Sequence, residues 1–244
     1  MKVATRKFVA GSKLILMVLR PHILLGWMAK PFEFAANTLR MTKWAASQHS
    51  KGLLNDFPSF KRNYNKRYEL YEYVAVNYGL HANQITFLEF GVSGGYSFNW
   101  WVNSNNNEGS GFFGFDTFEG LPEKWGAGFS RGDMAAPVPE MADRRVKFIK
   151  GLFQETLSDF LKGNRYNMDR QLVIHMDADL FSSTLYALSQ VSPYLKKGDV
   201  LIFDEFCVPN HEFNAWRTFT RSFYVRMRLV AAVNNYLQVA FIVE

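Results

Sequence analysis

Cysteine is nearly missing from this chain. Cys207 stands alone, which excludes an intramolecular disulfide and any zinc site built on cysteines, and favours a reducing compartment. Long apolar runs are missing as well: Leu14 to Leu19 and Pro21 to Ala29 are uncharged and largely apolar, but Lys13, Arg20 and Lys30 interrupt them. Neither run approaches the roughly 20 apolar residues of a spanning helix. No small-residue cleavage site follows, so a secretory leader is not expected and a cytoplasmic location is, with membrane association left open. Acids are scarce at one end only, since residues 1–70 carry 13 Lys and Arg against 3 Asp and Glu, while residues 71–244 carry 15 against 19. The net charge of +6 therefore belongs to an N-terminal arm. What the chain has in quantity is apolar side chain, 48% hydrophobic and 16% aromatic over 244 residues, enough for a large core and incompatible with disorder.

Residues 1–64 read as a basic helical arm and connector, and residues 65–244 as a single domain. Two helical pieces are expected in the arm, parted near Lys30-Pro31, with Phe8, Ile15, Val18, Leu19, Ile23 and Trp27 at roughly helical spacing. Such an arm can serve as a lid over its own fold, as an oligomerisation element or as a contact with an anionic membrane, and the first two are favoured. After a helix around Lys66 to Tyr78, short β-branched and aromatic runs alternate with helical stretches: Ile85–Phe90, Phe112–Asp116, Val146–Lys150, Leu172–Met176 and Val200–Phe203. That alternation implies βαβ units and a parallel sheet. Two further runs, Phe223–Val233 and Tyr236–Val243, meet at Asn234-Asn235, a pair that tolerates the positive φ of a hairpin. The expected fold is α/β and Rossmann-like, a seven-stranded, mostly parallel sheet closed by an antiparallel hairpin.

Three segments carry chemistry. In the first, Glu89-Phe90-Gly91-Val92-Ser93-Gly94-Gly95-Tyr96-Ser97 runs a strand into a glycine turn and a helix N-terminus, a place where backbone can approach a ligand. Glycines at 91, 94 and 95 do not match the G-x-G-x-x-G of a dinucleotide cradle. In the second, Asp116 ends the next strand, where an acid accepts hydrogen bonds from ribose hydroxyls or caps the turn. The third is acidic: His175-Met176-Asp177-Ala178-Asp179 and Asp204-Glu205 fall at strand ends that border one crevice, and their oxygens suit a hard cation such as Mg²⁺. Asp179 could instead cap the helix ahead of it. His175 is expected to orient Asp177 from within its strand, and His211, just past Asp204-Glu205, is a candidate base. Trp125, Phe129 and Arg131 lie in a long loop fit to stack on an acceptor, whereas Trp100-Trp101 are expected to pack on the sheet, and Trp216 can do either.

The segments LEFGVSGGYS, GFDTFEGLPEKW, VKFIKGLFQETL, IHMDADLFSSTLYAL and KKGDVLIFDEF, in this order over residues 85 to about 215, resemble the class I S-adenosylmethionine-dependent O-methyltransferases, and within them the metal-dependent macrocin O-methyltransferase group that modifies sugars on natural products. The resemblance implies that Glu89 and Gly91 floor the methionine end, that Ser93 and Ser97 hydrogen-bond its amino acid moiety, that Asp116 holds the ribose and that Gln154 reaches the adenine, with Gly95 also among the cofactor-binding residues. Asp177, Asp204 and Glu205 match the metal triad of that group. Compared with the similar catechol O-methyltransferases, Leu180 replaces a lysine base and Glu205 an asparagine, which leaves Asp177 and His211 as the proton acceptors to consider.

The resemblance implies Mg²⁺-dependent methyl transfer from S-adenosylmethionine to a hydroxyl of a sugar or glycosylated metabolite. The rival readings are a non-methylating relative, such as the cephalosporin hydroxylase-like proteins or a cofactor-binding protein, and a peripheral-membrane module. A small sugar-containing acceptor and a second copy of the chain are the expected partners. Nucleic acid is not, because the crevice is lined with acids and would repel phosphate.

Overall fold

The computed structural model describes residues 2–48, 52–126 and 128–244. The arm is three helices, α1 (Lys2–Leu19), α2 (His22–Leu25) and α3 (Ala29–Ala46). The break falls at Arg20-Pro21 rather than at Lys30-Pro31, with Arg20 in a left-handed conformation at φ 47°. Pro31 causes none, because it sits in the first turn of α3, where a helical N–H has no partner to lose. The second half of α3 packs on the domain: Asn37 is buried, and Trp44 stands against Phe206, Phe213, Trp216, Tyr236 and Phe241, at centroid separations of 5.0 to 6.1 Å. Among the described residues no single helix is long and apolar enough to cross a membrane, although Thr5–Leu19 and His22–Ala46 reach that level together, bent by 65°.

After a two-residue strand, β1 (Leu54–Asn55), and α4 (Lys66–Asn77), the expected alternation unfolds as β2 (Ile85–Phe90), α5 (Tyr96–Ser104), β3 (Gly111–Asp116), β4 (Val146–Lys150), α6 (Phe153–Gly163), α7 (Arg165–Met168), β5 (Gln171–Met176), α8 (Phe181–Val191), β6 (Val200–Phe203), α9 (Glu212–Ser222), β7 (Met227–Val233) and β8 (Gln238–Val243). The sheet has eight strands rather than seven, in the order β1-β7-β8-β6-β5-β2-β3-β4. Only β8 runs against its neighbours. The hairpin is looser than a two-residue turn, since Asn234, Asn235 and Tyr236 all have positive φ and β8 starts only at Gln238.

Helices cover both faces. One core joins Leu88, Phe90 and Ile174 of the sheet to Leu157, Leu188, Phe213 and Phe219 of α6, α8 and α9. The other joins Phe87, Val173 and Ile202 to Tyr71 and Val74 of α4 and to Phe98 and Trp101 of α5. Burial on both faces is why the central strands are continuous apolar runs. The strand order reverses between β2 and β5, so their carboxyl ends open the crevice in which such sheets bind ligands.

Candidate active site

At that switch point β2 and β5 converge so closely that a Cβ on Gly91 would lie 1.9 Å from the Asp177 carbonyl oxygen. Gly91 has φ +91°, its N–H donates to the Phe115 carbonyl, and the Asp177 N–H donates to that of Phe90. The turn is therefore stitched to strands on both sides before any ligand arrives. Gly95 caps α5 in a left-handed conformation, with Pro139 packed where its side chain would be. Asp116 receives the Val92 and Ser93 N–H groups on Oδ2, each at 2.8 Å, and the Phe118 N–H on Oδ1 at 2.7 Å. It thus fixes the glycine turn and caps its own turn while remaining on the crevice wall.

Beneath the turn lies a buried polar chain. The Ser97 hydroxyl donates to Glu89 Oε1, His175 Nδ1 lies 3.1 Å from the same oxygen, and His175 Nε2 lies 3.1 Å from the Tyr71 hydroxyl. A proton on Nδ1 satisfies both histidine contacts. His175 therefore braces Glu89 rather than Asp177, because its ring turns towards the α4 and α5 side of the sheet. Glu89 Oε2 is buried without a partner, an acceptor in need of a donor at the turn.

The crevice is a cavity of about 560 Å³, within the usual range of small-molecule sites. Gly91, Ser93, Ser97 and Asp116 line it, as do Gln154 in the first turn of α6 and the acids Asp177, Asp179 and Glu205. At the mouth the Trp125 and Phe129 rings stack at 4.9 Å across a small hairpin. Arg131 stays outside the lining, and Trp216 stacks on Phe241 in the core at 5.2 Å. Trp101 stacks on Phe87, as a residue packed on the sheet should. His211 sits at the N-terminus of α9, outside the cavity lining, with its ring edge-on to Trp125 at 6.5 Å. Burial lowers its pKa, partly offset by Glu123, which favours the neutral imidazole.

Residues of the connector enter the same cavity, and nothing in their local pattern announced it. The Tyr64 hydroxyl donates to Asp204 Oδ2 at 2.9 Å and contacts Glu205 Oε1 at 3.1 Å. Arg67 lies 3.6 Å from Asp204 and caps the Tyr64 ring at 3.7 Å, while Arg62 lies 3.5 Å from Glu205. Asp204 and Glu205 therefore face these side chains, and among the described residues no group of three or more His, Cys, Asp or Glu is arranged to hold a metal ion. The expected triad of Asp177, Asp204 and Glu205 reaches one rim but does not converge, because two guanidiniums and a phenol stand at its acids.

Those cations leave the charge unbalanced. Burial, and then Asp204 and Asp179, push the Asp177 carboxyl well above its ordinary range; burial, then Asp179 and Asp204, do the same to Glu212. Asp179 is pushed up to about 7 by burial, Glu205 and Asp204, and its side chain does not cap α8. Burial and Asp204 raise Glu205 too. Asp204 Oδ1 and Glu212 Oε1 are buried without partners. An all-oxygen set with surplus negative charge and an unpartnered buried oxygen fits a hard divalent cation. Cys207, its thiol pushed up to about 11 by burial, takes no part.

An open α/β sheet with a nucleoside-sized crevice at its switch point, a glycine turn and an acid one strand on together define a class I methyltransferase fold. Residues 88–206, just under half of the chain, match the model of a methyltransferase domain family. A curated relative, the 8-demethyl-8-(2,3-dimethoxy-alpha-L-rhamnosyl)-tetracenomycin-C 4'-O-methyltransferase of Streptomyces olivaceus, is 29% identical over 112 residues. That match spans 38% of this chain and 41% of the relative, less than half of its length. Among solved structures, the calicheamicin methyltransferase CalS11 superposes with a TM-score of 0.61 at 22% identity, covering 85% of this chain and 91% of that one. The O-methyltransferase NovP gives 0.55 at 20% identity, covering 72% and 79%.

Proposed function

We propose that the chain transfers a methyl group from S-adenosylmethionine to a hydroxyl of a sugar or glycosylated metabolite, with a divalent cation such as Mg²⁺ at the acidic rim. The observation that carries the reading is the joining of two half-sites in one cavity: the glycine turn with Ser97 and Asp116, backed by the buried Glu89, and the rim with Asp177 and Glu205, backed by the buried Asp204. The sugar O-methyltransferase among the relatives supports the acceptor class.

Glu89 and Ser97 would receive the amino acid moiety, where the free Glu89 oxygen awaits an ammonium donor. Asp116 keeps lone pairs for ribose hydroxyls beside its backbone bonds, and Gln154 lies where the adenine would rest. Asp177, Asp204 and Glu205 would hold the cation once Arg67 and Tyr64 draw back. A bound divalent cation supplies Lewis-acid polarisation of the acceptor hydroxyl. Asp177, on the cavity wall, would take the hydroxyl proton, while Trp125 and Phe129 would stack on the acceptor and exclude water. The chain's main contribution is alignment of the oxygen with the sulfonium methyl.

Calorimetric titration of the folded protein with S-adenosylmethionine, followed by release of S-adenosylhomocysteine on adding nucleotide sugars or glycosides with Mg²⁺, tests the reading. Saturable cofactor binding with acceptor-dependent release is expected. Absence of cofactor binding removes the methyltransferase, and turnover that survives a chelator removes the cation.

A further inference from the structure

The arm presents a surface that the catalytic reading does not use. No residue before Arg62 lines the crevice. Between Thr5 and Ala35 no described side chain is buried, and the exposed ones are large and apolar: Phe8, Leu14 to Leu19, Ile23 to Leu25, Trp27, Phe32 and Phe34. Leu16 is 55% exposed, Ile23 70% and Trp27 74%. Apolar faces of this extent mark interaction sites.

Two features choose the occupant. Charge is the first: positions 1–32 hold Lys2, Arg6, Lys7, Lys13, Arg20 and Lys30, and the first acid is Glu33. A second copy would bring the same cations against these, whereas an anionic lipid surface complements them. Shape is the second, because Leu14 to Leu19 are exposed around the whole turn of α1, so this segment needs an apolar medium on all sides rather than one matching face. The break at Arg20-Pro21, bent by 65°, follows directly, and α2 continues with Ile23-Leu24-Leu25. The apolar residues thus flank a bend that itself carries Arg20, with Arg6, Lys7 and Lys13 on one limb and Lys30 on the other, so the apolar turns on either side can enter acyl chains while Arg20 extends its long side chain back to the headgroups that hold the other cations.

We infer that residues 5–34 are a monotopic anchor, which inserts its bend into one leaflet of an anionic bilayer and does not cross it. Its base is rigid where it meets the domain: the Asn37 amide donates to Asn210 Oδ1 at 2.9 Å, and Trp44 is held in its aromatic box. The domain is therefore held beside the membrane in a fixed attitude.

Co-sedimentation of the full chain with phosphatidylcholine vesicles, with and without phosphatidylglycerol, tests this. Partition is expected on the anionic vesicles, falling about fivefold for each of Lys7→Gln and Lys13→Gln. The pair Leu16→Asp with Ile23→Asp should abolish it without moving the thermal melt, since neither residue packs on the domain. Brominated lipids should quench the wild type, and Trp27→Phe should remove that quenching while still partitioning. Equal partition on both vesicle types overturns the role of charge. Failure on both, with an arm-dependent dimer in sedimentation velocity, assigns the face to a second copy and overturns the anchor.

Discussion

A single methyl group decides whether the switch point can form. Gly91 is present because two strands meet there, so Gly91→Ala should cost about 3 kcal/mol in a denaturant titration through forced backbone displacement. That loss should appear without any ligand, which separates it from a cofactor-contact role. Asp204 poses the opposite case, an acid whose environment is costly to the fold and useful to the site. Asp204→Asn should abolish turnover while leaving cofactor affinity within a few fold, measured by product release and by calorimetry, because it touches Tyr64 and Arg67 rather than the glycine turn. At this scale the sequence was legible where a residue type has one use. Asp116 and Ser97 could be placed at the crevice from their motifs, and both line it. Tyr64 and Arg67 could not, since they reach Asp204 from about 140 positions away and no local pattern encodes that contact.

Elements were legible for the same reason that they are stable. Strands β2, β3, β5 and β6 are buried on both faces, so their runs begin and end within a residue of the hydrogen-bonded ladder, and the edge strand β4 keeps the same bounds although Lys147 and Lys150 face solvent. β1 escaped because two residues have no periodicity; it exists only through its pairing with β7. The connector after it is held by Asp56, which pairs with Lys66 at 2.8 Å and accepts the Asn234 and Asn235 N–H groups of the hairpin turn. Burial pushes this carboxyl up, but Lys66 and the two backbone donors outweigh it, so its pKa lies below the ordinary value. A lowered carboxylate pKa adds stability at neutral pH and loses it as the pH falls through that pKa. Asp56→Asn should therefore destabilise the protein by about 1 kcal/mol near neutrality. Parallel thermal melts should find that difference shrinking as the pH falls below the ordinary carboxylate range.

On the scale of the whole molecule, the division at residue 64 was drawn from the connector ahead of the helix near Lys66, yet the covalent boundary and the packed one differ. The end of α3 belongs to the domain core through Trp44, and Arg62 and Tyr64 belong to the crevice. Trp44→Ala should cost about 3 kcal/mol in global stability and raise proteolysis of the arm, which limited digestion would detect. The contact that joins the two parts also sets a length. Asn37 lies eight residues beyond Ala29, the start of α3, about 12 Å along its axis, and its partner Asn210 adjoins His211, whose ring stands edge-on to Trp125 at the crevice mouth. With residues 5–34 in a leaflet, as inferred above, α3 would set the height of the crevice mouth over the bilayer. On the proposed function, acceptors carried on a stem of comparable height would meet the mouth directly, so stem length would join hydroxyl geometry in selecting them.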